Sequence, residues 1–224
     1  MQVFGIDLSK NHFGFCHISE TGKTTLRYVY FKEYLQKEQK QNLGRYAKVQ
    51  ERVIDNDKFL FEKIRFSYDN KNYNQIQMDA LKSQLNLSLL EDYIAIVDGP
   101  KFVVLEDYVM QGERIVQLVH VGESFKYQFA NKEKWKSVIL YLCPSVSWKA
   151  ATWSKLKLPP GHKLDAYEKI DMALKDDETY QYIKSLQERE DVTKDLIDSY
   201  GLARMHRYYS EVFLATNSKR IFVF

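Results

Sequence analysis

Two aspartates near the end of the chain have the spacing of an active-site pair. Asp195 and Asp198 lie three residues apart in the helix-like stretch 194–200, so one helical face presents both carboxylates. Far upstream, Asp7 and Glu106 each lie in or at the end of an apolar, β-branched run. Four carboxylates gathered in one pocket repel each other unless divalent cations fill it. The pattern therefore predicts metal-dependent phosphodiester chemistry.

A simpler interpretation exists for the helical pair. Acids three residues apart are also typical of a solvated helix face, and Asp195 and Asp198 alone would fit that description. Asp7 and Glu106 favour the joint site, because acids within or at the end of buried strands are costly without a counter-charge. Asp107 should point to the opposite side of the strand from Glu106, so we leave it out of the site.

The composition is that of one sizeable globular domain. The chain has 224 residues, of which 45% are hydrophobic, so residues 1–224 are expected to form a single domain with a substantial core. The formal net charge is +3 and the pI is near 8.6, too weakly basic to establish nucleic-acid binding. If the acids cluster, the remaining surface is more positive than this total.

Cysteine, histidine and hydropathy patterns exclude several classes. Cys16 and Cys143 are the only cysteines, and both lie in apolar runs typical of buried thiols in a reducing compartment. The histidines have no paired spacing that would indicate zinc. No run approaches the ~20 apolar residues of a membrane span, and the chain opens directly into a strand pattern. We therefore expect a cytoplasmic protein without a membrane span.

The first part of the chain predicts an antiparallel sheet. Apolar runs predict strands at 2–7, 13–18 and 25–31, with residues 20–23 as the hairpin turn between the last two. The following segment, 33–72, is polar and charged with scattered aromatics. We expect a helical insertion there.

The remaining elements alternate between helix and strand. The predicted order is helix 73–97, strand 102–106, helix 115–129, strand 138–142, helix 163–175 and a helical stretch at 180–209 broken near Asp191-Val192. The run 102–106 is continuously apolar, as in a buried central strand, and presents Glu106 at its carboxyl end. The last helical stretch carries Asp195 and Asp198.

A three-stranded meander followed by helix, strand, helix, strand and a closing helix is the order of the RNase H-like fold. Within that fold the chain resembles the RuvC-like Holliday junction resolvases, especially those of phage and poxvirus type. The motifs are Gly5-Ile6-Asp7-Leu8-Ser9, Val103-Val104-Leu105-Glu106-Asp107-Tyr108 and Lys194-Asp195-Leu196-Ile197-Asp198-Ser199. The resemblance implies an α/β fold with a mixed five-stranded sheet flanked by helices.

A further match follows the strand at 138–142. Pro144-Ser145-Val146-Ser147-Trp148-Lys149 and then Gly161-His162-Lys163 resemble the family's lysine-bearing stretch before the helix with the last acids. The chain also departs from the pattern. The segments 33–72 and 163–195 are long, and Ala150-Ala151-Thr152-Trp153 replaces a glycine-rich stretch. These departures leave the acids intact but weaken the inference about substrate.

The resemblance also implies a mechanism and its ligands. Two Mg²⁺ ions, for which Mn²⁺ can substitute, would be bridged by Asp7 and completed by Glu106 and Asp198, with Asp195 holding a metal or its water. Lys163 would neutralise the scissile phosphate or orient the attacking water. The products would carry a 5′-phosphate and a 3′-hydroxyl. Branched DNA would be the substrate, cut by a homodimer.

Basic and aromatic residues flanking the acids are candidates for DNA contacts. They are Tyr108, Lys149, Lys155, Lys157 and Lys163. Trp148 and Trp153 lie in the same region and could equally pack in the core, in a dimer or against DNA.

Three other functions remain open at this stage. A nuclease of the same fold could act on flaps, forks or less structured DNA, because the acids define the chemistry and not the substrate. An actin-like ATPase is also conceivable, since the motif 5–9 resembles a first phosphate motif, but no second lobe or glycine-rich phosphate loop is visible and we expect no nucleotide cofactor. A non-catalytic DNA-binding remnant would have little reason to keep all four acids.

Overall fold

The computed structural model describes residues 1–9, 11–33, 46–68, 74–106, 138–153, 164–217 and 221–223. The strands are β1 (Gln2–Leu8), β2 (His12–Ile18), β3 (Thr24–Glu33), β4 (Tyr46–Asp55), β5 (Phe59–Tyr68), β6 (Lys101–Glu106), β7 (Val138–Cys143) and β8 (Ile221–Val223). The helices are α1 (Gln75–Ala95), α2 (Ser145–Trp153), α3 (Ala166–Ala173), α4 (Glu178–Ser185) and α5 (Glu190–Asn217).

The strands described here form one mixed sheet in the order β4-β5-β3-β2-β1-β6-β7-β8. At its centre, β1, β2 and β3 are antiparallel, while β6 lies parallel to β1 and β7 parallel to β6. This order and these directions are those of the RNase H-like fold, so the predicted α/β class is confirmed. The predicted five strands are extended by β4 and β5 at one edge and by β8 at the other.

The helical insertion predicted for 33–72 is wrong where the structure describes that segment. Residues 46–55 and 59–68 form an antiparallel hairpin, and β5 pairs in parallel with β3. The exposure of the side chains along β4 alternates from residue to residue over most of its length, as expected of a strand. In the sequence, the many charged residues of this segment masked that alternation. The turn signal was Asn56, whose side-chain oxygen accepts hydrogen bonds from the amides of Lys58 and Phe59.

Helices cover both faces of the sheet. Helix α1 packs on the face that carries Phe4, Ile6 and Leu8, and its Asn74 cap forms a reciprocal capping box with Gln77. The opposite face is buried under α2, α3, α4 and α5. None of the helices among the described residues combines the length and apolar character needed to cross a bilayer. Cys16 and Cys143 are buried and do not form a disulfide with each other.

The later helices differ in detail from the prediction. The helix expected at 163–175 spans 166–173, capped by Asp165. The break expected near Asp191-Val192 is wrong, because it falls at residues 186–189, where Gln187 adopts a left-handed φ of 52°. Helix α2 was not predicted. The helix expected at 115–129 lies outside the described residues.

Candidate active site

Helix α5 lies directly on the backbones of β1 and β2 because two glycines leave room for it. A Cβ on Gly14 would overlap the backbone carbonyl of Asp195, and a Cβ on Gly5 would overlap the backbone of Ser199 and Ala203. Any larger residue at these positions would hold the helix away from the sheet. The close approach brings the first three turns of α5, with Asp195 and Asp198, over the strand that carries Asp7.

Asp7 and Glu106 meet at the carboxyl ends of two parallel neighbours. Ile6 pairs with Leu105 in the register of β1 and β6. Asp7 and Glu106 are the next residues on the two strands, so they lie side by side. Their side chains share a hydrogen bond. Burial raises the pKa of Asp7 well above its ordinary value, and the hydrogen bond and the negative charge of Glu106 raise it further. The charged form of Asp7 is therefore disfavoured in this pair.

Asp198 joins the same group from the helix. Its negative charge and that of Asp195 both act on Asp7 to raise its pKa. Burial raises the pKa of Asp198 itself to about 6; attraction from Lys149 opposes the shift and repulsion from Glu106 adds to it. The four acids thus form one electrostatically connected cluster.

Two residues from other helices hold the Asp198 carboxylate. The hydroxyl of Tyr167, on α3, lies 3.0 Å from both carboxylate oxygens and donates to them. The Lys149 ammonium, on α2, donates to Oδ2 at 3.2 Å. Both oxygens of Asp198 therefore face a donor. Burial and the adjacent carboxylate of Asp198 raise the pKa of the Tyr167 hydroxyl, so it stays protonated and can donate.

Asp195 has a different neighbour. The Nδ1 atom of His12, at the start of β2, lies 2.7 Å from Oδ2 of Asp195. The same imidazole lies beside the Tyr28 ring, with a centroid separation of 5.9 Å. Asp195 therefore lies at the edge of the cluster beside His12 and Tyr28, whereas Asp198 is held at the edge nearest α2 and α3.

The donor chemistry of the cluster fits divalent cations. No three His, Cys, Asp or Glu side chains in the described part of the chain converge closely enough to hold one ion. Asp7 instead lies beside Glu106 with a raised pKa, and Asp198 accepts from Tyr167 and Lys149. Carboxylate oxygens are the ligands that Mg²⁺ and Mn²⁺ prefer, and a bound cation would relieve the mutual repulsion of the acids.

The structure brings together some of the candidate residues and leaves others outside its description. Asp7, Glu106, Asp195 and Asp198 lie in one cluster. Lys149, expected among the DNA contacts, bonds an acid of the cluster. Tyr108, Lys155, Lys157 and Lys163 lie outside the described residues, as does Asp107.

Sequence reasoning missed His12 and Tyr167. A signal for His12 was available: in the hairpin register Asp7 pairs with Gly14, so His12, two residues away, faces the same side of the sheet. Tyr167 carried no such signal. It reaches Asp198 because α3 packs on α2, which in turn packs on α5.

The two tryptophans have structural environments. Trp148 is fully buried, and its ring packs against the Cα of Gly201 on α5. Trp153 is partly buried against the same core, with the Lys169 ammonium 5.2 Å from its ring centroid. Trp148 therefore belongs to the core and not to a DNA-contacting surface.

The fold and the site define an RNase H-like α/β protein with a carboxylate cluster at the carboxyl ends of β1 and β6. No protein-family model and no curated protein matches the sequence. Among solved structures, the Thermus thermophilus RuvC structure has a TM-score of 0.45 and 14% identity, covering 95% of this chain and 96% of that one. T. thermophilus RuvC in complex with Holliday junction substrate has a TM-score of 0.45 and 12% identity, with the same coverage. Neither similarity is close enough to carry a functional inference.

Proposed function

We propose that this protein is a metal-dependent endonuclease that cuts branched DNA, with four-way junctions as its preferred substrate. The observation that carries the proposal is that the fold brings four acids from β1, β6 and α5 to neighbouring positions on one face of an RNase H-like sheet. Burial raises the pKa of Asp7, and the three neighbouring acids raise it further, as is typical of functional sites. The sequence motifs around the same acids support the assignment.

The cluster suits Mg²⁺, with Mn²⁺ as a substitute. Asp7, Glu106, Asp195 and Asp198 would hold the ions, with Asp7 shared because it senses the charge of all three other acids. When bound, such ions lower the pKa of a nucleophilic water and stabilise charge on the attacking and leaving oxygens of a phosphodiester. Hydrolysis would leave a 5′-phosphate and a 3′-hydroxyl.

The surrounding residues position the acids and the substrate. Tyr167 fixes the rotation of the Asp198 carboxylate, and His12 lies against Asp195. Lys149 places a positive charge beside Asp198, where it can attract a phosphate oxygen once cations occupy the acids. Lys163 is proposed for the same task, and Tyr108, Lys155 and Lys157 for contacts with the DNA.

Junction cleavage further requires two opposed strands to be nicked. A homodimer related by a twofold axis would present two such clusters to a symmetric junction. Flaps, forks and less structured DNA are the competing substrates for the same chemistry.

The test is a cleavage assay with labelled four-way junction, flap, plain duplex and RNA–DNA hybrid in Mg²⁺, Mn²⁺ or EDTA. We expect symmetric nicks in the junction, dependent on metal. Asp7→Asn or Asp198→Asn should reduce the rate on the order of 100-fold or more, because each removes a charged ligand. Asp98→Asn is the matched control, since Asp98 is exposed and precedes β6 at the opposite end of the sheet.

Each outcome has a distinct meaning. Equal cutting of every substrate would contradict junction selectivity and leave the nuclease intact. Full activity of Asp7→Asn, or cutting in EDTA, would overturn the metal-dependent mechanism. Loss of activity in Asp98→Asn as well would show that the effect is not specific to the cluster.

A further inference from the structure

An aromatic cleft opens next to the acid cluster. It has a volume of about 260 Å³ and lies between β3, β5 and the start of α5. Its lining includes Tyr28, Tyr30, Lys32, Lys63, Arg189 and Val192. We call it the tyrosine cleft. The rings of Tyr28 and Tyr30 lie 5.9 Å apart and within 29° of parallel. Tyr28 is buried, whereas Tyr30 is only partly buried and presents ring surface to the cleft.

The tyrosine cleft lies near the acid cluster. His12 contacts Asp195 on one side and the Tyr28 ring on the other. The charge of Asp195 also contributes, after burial, to a raised pKa of the Tyr28 hydroxyl. Tyr28 and His12 therefore link the wall of the cleft to Asp195.

A hydrogen bond from its hydroxyl group fixes the position of the Tyr30 ring. Its hydroxyl donates to Glu51 on β4 at 2.7 Å, and Glu51 also accepts from Arg65 at 2.8 Å. A ring held in this way loses little side-chain entropy when a ligand stacks on it. The added hairpin of β4 and β5 thus prepares one wall of the cleft.

The tyrosine cleft differs in charge from the larger cavity beside Tyr167. Three cationic side chains and no carboxylate are found among its described lining residues. Lys63 is paired with Glu188 and Arg189 with Asp191, but Lys32 is exposed and forms no ion pair with any described residue. The larger cavity beside Tyr167, of about 490 Å³, is lined by five carboxylates and only two lysines. A polyanion would be repelled there and accepted in the tyrosine cleft.

We propose that the tyrosine cleft holds one unpaired nucleotide of the DNA strand adjoining the scissile phosphate. The base stacks on the Tyr30 ring, and its phosphate lies near Lys32. The inference rests on the proposed nuclease function and adds to it a subsite for unstacked DNA. Aromatic faces accept any base, so the subsite would favour substrates whose strands are already unpaired near a branch.

The binding test uses a short fluorescent oligothymidylate in the Asp7→Asn background with Mg²⁺ present, so that the DNA is not cut. Tyr30→Ala should weaken binding about 5-fold or more, the effect of losing one base-aromatic stack. Tyr30→Phe should bind more tightly than Tyr30→Ala but somewhat more weakly than the parent, because the ring face is kept while the hydroxyl bond to Glu51 is lost. Lys32→Ala, a change of an exposed side chain that leaves folding intact, should weaken binding and reduce its salt dependence.

Tyr46→Ala is the matched control, since Tyr46 is 47% exposed and its ring lies near Phe66 of the α1-facing core. Its binding should equal that of the parent. A second measurement places the base: an oligothymidylate carrying one 5-iododeoxyuridine should photo-crosslink to the peptide containing Tyr28 and Tyr30. Parental binding by both Tyr30→Ala and Lys32→Ala, or a crosslink to another peptide, overturns the subsite.

Different measurements test the proposed nucleotide subsite and the proposed nuclease function. If the wild-type chain cuts junctions while the Tyr30→Ala chain keeps the same KM and kcat, the subsite is overturned and the nuclease stands. If the wild-type chain cuts nothing, the proposed nuclease fails. Tyr30-dependent binding and crosslinking would then still identify the cleft as a single-strand site.

Discussion

The acids of the cluster differ in how tightly their neighbours hold them. Both Asp198 oxygens accept hydrogen bonds, from Tyr167 at 3.0 Å and from Lys149 at 3.2 Å. Asp7, by contrast, lies beside Glu106 and experiences three negative neighbours. We therefore expect Asp198 to be orientated before any cation binds, and a bound cation to lower the raised pKa of Asp7.

Tyr167→Phe tests this positioning role. The variant removes the hydroxyl but keeps the ring, so Asp198 loses a donor to each oxygen. We expect a 10- to 100-fold loss in metal affinity or activity, the range typical of residues that orient metal ligands. The measurement is the rate as a function of Mg²⁺ concentration: the positioning role predicts that a higher concentration is needed for half-maximal activity.

Tyr182→Phe provides the matched control for that variant. The Tyr182 hydroxyl is buried and has no hydrogen-bond partner among the described residues, so its removal should leave activity unchanged. Equal Mg²⁺ dependence of wild type and Tyr167→Phe would contradict the role assigned to Tyr167.

At the scale of elements, the site depends on how α5 is placed. Gly5 and Gly14 let the helix contact the sheet, and the start of the helix is tied to the added hairpin. Glu188, just before α5, accepts from Arg52 and Lys63, each at 2.7 Å. Burial works to raise the pKa of Glu188, but these two cations outweigh it and hold the pKa below its ordinary value. The hairpin therefore helps to set the position of the helix that carries two acids.

Gly14→Ala tests the close approach. The new methyl group would overlap the Asp195 carbonyl, so α5 must move or the strand must shift. We expect a loss of stability of about 1–3 kcal/mol, as for other overpacked sites, together with a large loss of activity because Asp195 and Asp198 move with the helix. Urea unfolding and the junction assay measure the two effects.

Gly22→Ala separates the effect on stability from the effect on activity. Gly22 lies in the turn between β2 and β3 with a φ of 87°, and nothing lies within 4 Å of an added Cβ. This variant should lose about 1 kcal/mol from backbone strain and keep its activity. Similar activity of the two variants would contradict the role assigned to Gly14.

For the whole molecule, acid sensitivity is expected from a histidine remote from the cluster. His17 is buried against Phe4, with ring centroids 4.5 Å apart, and its Nε2 lies 2.8 Å from the Gln2 side-chain oxygen. Burial, with a contribution from Arg27, lowers the pKa of His17 to about 4 from an ordinary value of 6.5. The folded state therefore holds His17 neutral where the unfolded chain would protonate it.

This difference sets the sign of the pH dependence. Stability from neutral His17 is fully present above about pH 6.5 and is lost as the pH falls toward about 4, by roughly 3 kcal/mol in total. Urea unfolding of wild type and His17→Gln at several pH values measures it. We expect the advantage of the wild type at neutral pH to shrink or reverse on acidification. Parallel stability curves for the two proteins would contradict the prediction.

Local patterns along the chain determined much of this protein. Apolar runs predicted β1, β2, β3, β6 and β7, and helical spacing predicted α1 and the stretch that carries Asp195 and Asp198. The types and order of the four acids indicated a carboxylate site. These features can be predicted from the sequence because strands and helices leave periodic patterns among residues that are close together in the chain.

Tertiary structure alone decided the partners of those acids. The contacts of Asp198 with Tyr167 and of Asp195 with His12 join residues far apart in the chain, and they depend on strand register and on the glycine-mediated approach of α5. The β4 and β5 hairpin escaped prediction because its charged residues hid the alternation, and its pairing with β3 built one wall of the tyrosine cleft. Side-chain neighbours arise from packing between elements, and a single sequence does not encode those distances in any local pattern.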